Sequence, residues 1–307
     1  MYITDHLIIG SGIAGLSAAQ VFIKQKESVG IISKSTIYEG NTSYAQGGIA
    51  VAFQDDDTPI YHFEDTLQAG AGLCDKQAVK ILVEEGPERV KELINLGADF
   101  DKQGKKFDLT KEAAHSKRRI LHAKDATGKE IEKTLGKGLK ESAYCQFFPN
   151  TCVIKLIKNE DTCVGCWAFH EGKLTLFMAR KSILIATGGC GQIFQFTTNP
   201  AVATGDGIAL AHHLGCRIMD MEFIQFHPTT LYTGDKKPIS IFLITEAIRG
   251  EGALLRNHLG KRFMPNYHAN AELAPRDIVA RSIFFEMQKT QHPVFLDVTP
   301  LKSHLKT

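Results

Sequence analysis

The chain has 307 residues, enough to bury a sizeable core as one large domain or two modest ones. Lysine and arginine (36) nearly balance aspartate and glutamate (34), so a net charge of +2 gives no reason to expect nucleic acid or an anionic membrane as partner. No apolar run reaches the roughly 18 residues of a membrane span and no basic-then-apolar leader precedes the first strand; seven cysteines scattered through apolar segments predict reduced thiols and a cytoplasmic setting.

The first predicted element is a strand at His6-Leu7-Ile8-Ile9. It runs into Gly10-Ser11-Gly12-Ile13-Ala14-Gly15 and then into a helix-like stretch from Leu16 to Ile23. In that context a GxGxxG pattern has a mechanical meaning. Gly10 permits a tight turn, Gly12 lets the backbone approach a pyrophosphate, and Gly15 lets the helix pack on the strand. The amides and partial positive charge at the helix start favour phosphates, so a dinucleotide is the expected ligand. The second strand, Val29 to Ser33, should end in an acid for the ribose about 20 residues after the glycines. Ser33 and Lys34 stand there instead. The hydroxyl could bond a ribose and the lysine could lie against a phosphate, but the missing carboxylate argues against an ordinary NAD site.

The next loop contains Asn41-Thr42-Ser43-Tyr44-Ala45-Gln46-Gly47-Gly48 and flows into apolar Ile49-Ala50-Val51. Small, hydroxylated, Gly-rich residues let backbone press against a flat ligand, so this loop is expected to face one. From 60 to 99 apolar residues recur at helical spacing, with Pro87 placed where a helix could begin and Gly97 where one could stop. Residues 108–134 mix Glu112, His115, Lys117, Arg118, Arg119 and His122. Such a mixture suits an anionic ligand, or equally an exposed basic segment paired with neighbouring acids.

Strand-like segments at 151–157, 163–170 and 174–178 predict a small antiparallel sheet. Cys163 and Cys166 form a C-x-x-C within it, read as packing residues, because zinc would need a second pair and a redox pair would want a helix start. No metal site is expected. A further buried strand over 182–185 ends in Gly188-Gly189, and Asp206 stands where a helix over 208–215 begins, as a cap or a ligand contact. His227 sits between Phe226 and Pro228, a setting more often structural than catalytic. Pro275 predicts the start of a helix reaching about Lys289, and 295–298 reads as a strand.

The motifs GSGIAGL, the Ser33-Lys34 pair, SYAQGGIA, HSKRRILHAKDATG, ATGG, TTNP, TGDGIA, EFIQFHPT, TEAIRGEGA, RFMP and ELAPRDIVAR follow one another from Ile8 to Val298. Together they resemble the flavoprotein family of succinate dehydrogenase and fumarate reductase, and within it the L-aspartate oxidase branch. The resemblance implies an α/β fold: a Rossmann-like FAD-binding domain over 1–220 and an inserted or capping α+β substrate domain over 221–307, C-terminally incomplete. It implies that Ser11, Gly12, Ala14 and Lys34 hold the ADP half of FAD, that Asn41 to Gly48 line the flavin, and that Asp206 contacts the cofactor. His227, Thr245 and Glu246 match the family's groups for a substrate carboxylate, and Arg276 its proton donor or acceptor. Glu112 matches the acid that receives the substrate amine.

The implied reaction is oxidation of L-aspartate to iminoaspartate, with dioxygen or fumarate as final acceptor, on the route to quinolinate and NAD. Quinolinate synthase would be the protein partner. Asn41 stands where succinate dehydrogenases carry a histidine bonded to flavin, so FAD is expected to be non-covalent. Family chains continue well past residue 307 with a second flavin segment, a further histidine and arginine, and a helical domain, so these residues alone are not expected to turn over. The alternatives are a succinate dehydrogenase or fumarate reductase flavoprotein, an inactive FAD-binding fragment, and an NAD-dependent dehydrogenase.

Overall fold

Strand β1 (Tyr2–Ile9) lies in the interior of a six-stranded sheet, as its nearly continuous burial from His6 to Ile9 requires. The computed structural model describes residues 1–112, 114–234 and 240–303. After β1 the chain enters α1 (Ile13–Lys24) and β2 (Val29–Ile32). It then makes the short α2 (Asn41–Tyr44), β3 (Ile49–Ala50), α3 (Pro59–Ala69) and α4 (Lys76–Asn95). Four two-residue strands follow: β4 (Lys102–Gln103), β5 (Lys106–Phe107), β6 (Leu109–Thr110) and β7 (Ile120–Leu121). Next come α5 (Thr127–Lys140), β8 (Cys145–Phe148), β9 (Cys152–Asn159), β10 (Thr162–His170), β11 (Lys173–Ile185) and α6 (Asp206–Leu214). The last elements are α7 (Ala247–Gly250), β12 (Leu254–Arg256), α8 (Arg276–Thr290) and β13 (Phe295–Asp297).

The main sheet has the order β8-β2-β1-β11-β10-β9. Strands β8, β2, β1 and β11 run parallel, and β10 and β9 continue antiparallel from β11. The antiparallel strands are therefore the edge of the main sheet. The reason is β11: its 13 residues pair with β10 over one half and with β1 over most of their length, so the strands expected separately at 174–178 and 182–185 are one. Helices α1 and α5 bury Leu16, Ala19, Ile131, Leu135 and Leu139 against Ile8, Val29 and Ile31 on one face. The other face holds Leu7, Ile9, Ile32, Phe148, Leu156 and Phe177, covered in part by Leu210 and Leu214 of α6. Cys166 is fully buried in this second core and Cys163 packs against it, with burial raising both thiol pKa values, to about 12 for Cys166. That agrees with packing cysteines.

Two glycines carry the first turn. Gly10 has φ +116, and a Cβ there would lie 2.1 Å from the Ala186 carbonyl oxygen at the end of β11. A Cβ on Gly15 would lie 2.1 Å from the Gly10 oxygen. Both demand hydrogen in place of a side chain. Pro87 does not begin a helix: it lies inside the 20-residue α4, which starts after the Asp75 cap. Gly86 before it has no Cβ for the proline ring to meet, which removes part of the clash that disfavours a helical residue before proline. Gly97 ends α4 as expected, with φ +99.

The basic segment 115–119 turns inward at Arg119, which is fully buried. Its guanidinium bonds Asp57 twice, at 2.8 and 2.9 Å, and Asp65 at 2.6 Å. Lys117 reaches Asp56 and Arg118 donates to the Leu109 carbonyl, so this stretch is largely paired within the chain. Ala113 of the same motif lies outside the described residues. A three-stranded sheet, β3-β7-β6, ties loop 41–48 to this segment. A third core of Leu255, Phe263, Met264, Ala274 and Val279 forms beyond residue 250 and shares no buried residue with the other two. No helix among the described residues is long and apolar enough to cross a membrane.

His62 of α3 is buried beside Arg119, and burial, the Arg119 guanidinium and His115 lower its pKa to about 4. The unfolded chain binds a proton there near pH 6.5 that the folded chain refuses until about pH 4. Stability therefore falls as pH drops from 6.5 to 4, by about 3 kcal/mol from this group. Urea unfolding across that range should show a flatter pH profile for His62→Leu than for wild type; parallel profiles would refute the assignment.

Candidate active site

The parallel strands β1 and β2 end side by side, and a cleft of about 870 Å³ opens where they stop. The glycine turn, Ser33 to Ser35, Asn41 and Thr42, Thr151 to Val153, Ala186 to Gly188, and Asp206 line it. The start of α1 points its amides here, with no acidic side chain in its first turn. Thr42 already accepts from Ile13 N at 3.0 Å. Ser11 and Ser33 are buried in the wall: Ser11 Oγ donates to Ser33 Oγ (3.1 Å), and Ser33 Oγ donates to Thr36 O (3.0 Å). Lys34 Nζ reaches across to Asp206 Oδ2 and Thr204 Oγ1, both at 2.6 Å. Burial raises the Asp206 pKa, but the bonds from Lys34 and Thr204 outweigh it and hold the carboxyl below its ordinary value. Thus the lysine expected against a phosphate has an ionic partner of its own, and the two residues staple β2 to α6.

Ile13 and Ala14 border a second opening on the far side of the turn. Asn41, Ser43, Tyr44, Ala45 and Gln46 line a wide cavity of about 1940 Å³ between α5 and residues 198–199 and 240–243. Loop 41–48 therefore separates the nucleotide cleft from the rest of the site. Gly47 reaches the second cluster, where a Cβ on it would lie 3.2 Å from Glu112 Oε1. Gly48 presses on Ile120 and Leu121, so its role is packing against β7.

The second cluster draws residues from four places in the chain. Arg276, at the first position of α8, is about one-third exposed. Its Nε donates to Glu246, Nη2 lies 3.3 Å from Glu112 Oε2, and Nη1 lies 3.4 Å from Gln225 Oε1. Glu246 is buried and also accepts from Arg249 Nη2 at 2.9 Å. Arg249 is fully buried and donates to the Glu272 carbonyl at 2.8 Å. The paired backbones of Thr229 and Ile244 bring the His227 stretch toward the Glu246 turn, so that His227 feels the charges of Arg276 and Glu246. His227 Nδ1 lies 3.0 Å from Thr229 O and 3.2 Å from Thr229 N, which leaves Nε2 for a ligand. Burial lowers the His227 pKa, so the ring is neutral near pH 7. Burial raises the Glu112 pKa, opposed by the charge of Arg276 and reinforced by that of Glu246.

Of the expected substrate residues, Glu112, Glu246 and Arg276 are thus in contact beside Gly47, His227 is close enough to feel the charges of Arg276 and Glu246, and Thr245 adjoins Glu246 in the chain. Sequence reasoning missed Arg249, Gln225, Thr204 and Thr187. Arg249 had a signal: it stands three residues after Glu246 on a helical turn, the spacing of an ion pair. The other three have no such mark. Among the described residues no group of three or more His, Cys, Asp or Glu is placed to hold a metal ion.

The crossover sheet, the glycine turn and the cleft beyond the strand ends fit an adenine dinucleotide, and residues 5–307 match the family model of the FAD binding domain. The chain belongs to this family of flavoproteins, and its cofactor is FAD. It is 44% identical to the L-aspartate oxidase of Nostoc sp., across 97% of this chain and 52% of that protein. With the L-aspartate oxidase of Vibrio cholerae it shares 43% identity, across 93% of this chain and 55% of that one. Among solved structures, a mutant of E. coli quinol fumarate reductase superposes with a TM-score of 0.88 at 30% identity, covering 94% of this chain and 51% of that one. The open conformation of a flavocytochrome c3 fumarate reductase gives 0.75 at 27% identity, covering 92% and 51%. The chain spans about half the length of the curated relatives it matches.

Glu246 answers two guanidinium groups, one of them without access to water. Glu246→Gln should leave Arg249 as an uncompensated buried charge and cost about 3–5 kcal/mol. Denaturant unfolding measures this directly; a loss under 1 kcal/mol would show that Glu272 and the backbone suffice for Arg249.

Proposed function

We propose that this chain supplies the FAD site and part of the substrate site for oxidation of L-aspartate to iminoaspartate, a step toward quinolinate and NAD. The observation that carries this reading is the meeting of Glu112 with Arg276 at the flavin-facing loop. A dicarboxylic amino acid needs cationic or hydrogen-bonding groups for its carboxylates and an anion for its ammonium. Arg276, His227 Nε2 and Thr245 serve the first need, and Glu112 the second. Arg276, the general acid or base of this reading, is held in place by Glu246, which Arg249 anchors in turn. When bound, FAD supplies the two-electron acceptor for oxidation at Cα, with dioxygen or fumarate as the final oxidant. Loop 41–48 orders the cofactor beside this cluster, Ser11 to Gly15 face its pyrophosphate, and Lys34 with Asp206 holds the cleft wall.

The same reading divides the chain near residue 220, supported by the separate core beyond residue 250. It places the protein in the cytoplasm, with quinolinate synthase as the consumer of its product. The likeness to fumarate reductases supports a second reading, reduction of fumarate at the same groups.

The test is anaerobic reduction of bound FAD by L-aspartate or by succinate. It is run on this chain alone and on this chain joined to the C-terminal half of the Nostoc relative. L-Aspartate should bleach the flavin of the joined protein, while any flavin on the chain alone should be reduced more slowly than about 1 per second. Equal bleaching by succinate would favour the second reading. Glu112→Gln in the joined protein should lower kcat/KM for L-aspartate by about 10- to 200-fold, because a hydrogen bond to a charged group is worth roughly 1.5–3 kcal/mol. Fumarate reduction, with no amine to satisfy, should fall much less, and equal losses would give Glu112 another role. FAD is held without a covalent bond in this proposal, since Asn41 offers no linking imidazole. Acid precipitation should then leave the flavin in the supernatant, and a yellow pellet would overturn it.

A further inference from the structure

Outside the two clusters, Glu286 and Glu132 are buried carboxyls without a cation among the described residues; Glu286 is met by the neutral donors Asn257 and Tyr267. Glu132 in the middle of α5 is 1% exposed, and among the described residues it has no ion pair. Its carboxyl meets Ser43 Oγ of α2, and the same oxygen meets the carbonyl of Tyr38. A serine hydroxyl has one proton, and a carbonyl can only accept. Both contacts are satisfied when Ser43 donates to Tyr38 and itself accepts from a protonated Glu132. An ionised Glu132 would have to take the serine proton and leave the Tyr38 carbonyl facing an oxygen lone pair.

The surroundings favour the neutral acid. Burial raises the Glu132 pKa and the Glu39 carboxylate adds to the effect. Tyr44 donates to Glu39 at 3.2 Å, and Lys140 sits 4.5 Å above the Tyr38 ring. Asp125, Lys129 and Lys133 border the same wide cavity, but Lys133 pairs with Glu130 instead. Helix α5 also grips α2 at a second point. A Cβ on Gly128 would lie 1.9 Å from Thr42 O, and Gly128 N donates to Ala45 O at 3.1 Å. Thr42 in turn accepts from the first amide of α1.

We propose that Glu132 is held protonated in the folded protein and acts through Ser43 as a positioning residue for the Asn41–Tyr44 turn, on the reading that this turn borders bound FAD. The acid is the donor at the head of a two-bond relay, Glu132 to Ser43 to Tyr38. Loss of its proton breaks the relay and loosens the turn against the cofactor. Glutamine can replace the acid, because its amide N–H donates as the carboxyl O–H does, and it cannot titrate.

Three measurements on the purified chain test this. The infrared spectrum should contain a carboxylic-acid C=O band that is absent in Glu132→Gln and fades in wild type as pH rises. Between the unfolded and folded pKa of Glu132 the native state holds a proton that the unfolded chain has lost. Stability should therefore fall with rising pH in wild type and less in Glu132→Gln. The Kd for FAD should weaken about tenfold across the same titration in wild type and about tenfold in Glu132→Ala at all pH values, the worth of one buried hydrogen bond. In Glu132→Gln it should stay within about threefold and flat. An identical C=O band and stability profile in wild type and Glu132→Gln would remove the protonated acid. Wild-type FAD affinity in Glu132→Ala would remove the positioning role. If Glu132→Ala does not fold, the pH profile of Glu132→Gln still decides. FAD binding by none of the variants would instead defeat the placement of FAD at the turn, while the band and stability profile still judge the acid.

Discussion

The structure depends on one close approach. Strands β1 and β11 run parallel to their shared ends, and there the Gly10 backbone passes so near the Ala186 carbonyl that no side chain fits. That contact turns the chain sharply out of the sheet, aims the start of α1 along the strand ends, and opens the cleft between β1 and β2. Every group assigned to the nucleotide is placed relative to that opening. Lys34 and Asp206 hold its two sides together, and α2 forms its outer lip through Thr42.

A second constraint joins the cleft to the chemistry. The Glu112–Glu246–Arg249–Arg276 cluster is made of charges that balance within the chain. Arg249 and Glu246 are both buried, and a buried guanidinium is tolerable only with a carboxylate in contact. The pair fixes Glu246, Glu246 fixes Arg276, and Arg276 reaches Glu112 on a segment tied by β6 and β7 to loop 41–48. The Arg119, Asp57 and Asp65 node does the same for the far end of that segment.

This arrangement explains how one loop can serve two sites. Residues 41–48 are mostly exposed and short of their own core, so they are held from behind by α5 at Gly128 and Glu132 and from the side by β7 at Gly48. A loop that must press on a flat ligand cannot bury its ligand face in protein; its rigidity has to come from the opposite face.

The residues alone determined the β1–turn–α1 unit, the periodic helices, the end of α4 at Gly97, the start of α8 at Pro275 and the family. These rest on local chemistry: strand and helix periods, proline geometry and positive φ are properties of neighbours in the chain. The resemblance also named Glu112, His227, Thr245, Glu246 and Arg276, and only the tertiary structure brought Glu112, Glu246 and Arg276 into contact. Local rules failed at Pro87, where Gly86 lessens the clash with the proline ring, and at 151–185, where the length of β11 merges two sheets into one. Whether Arg119 was ligand-binding or structural could not be read from composition, because its acids lie 54 and 62 residues away. Lys34 was ambiguous for the same reason, its partner being 172 residues on. A charge is assigned by what stands next to it in space, and for these residues the fold alone makes the neighbours.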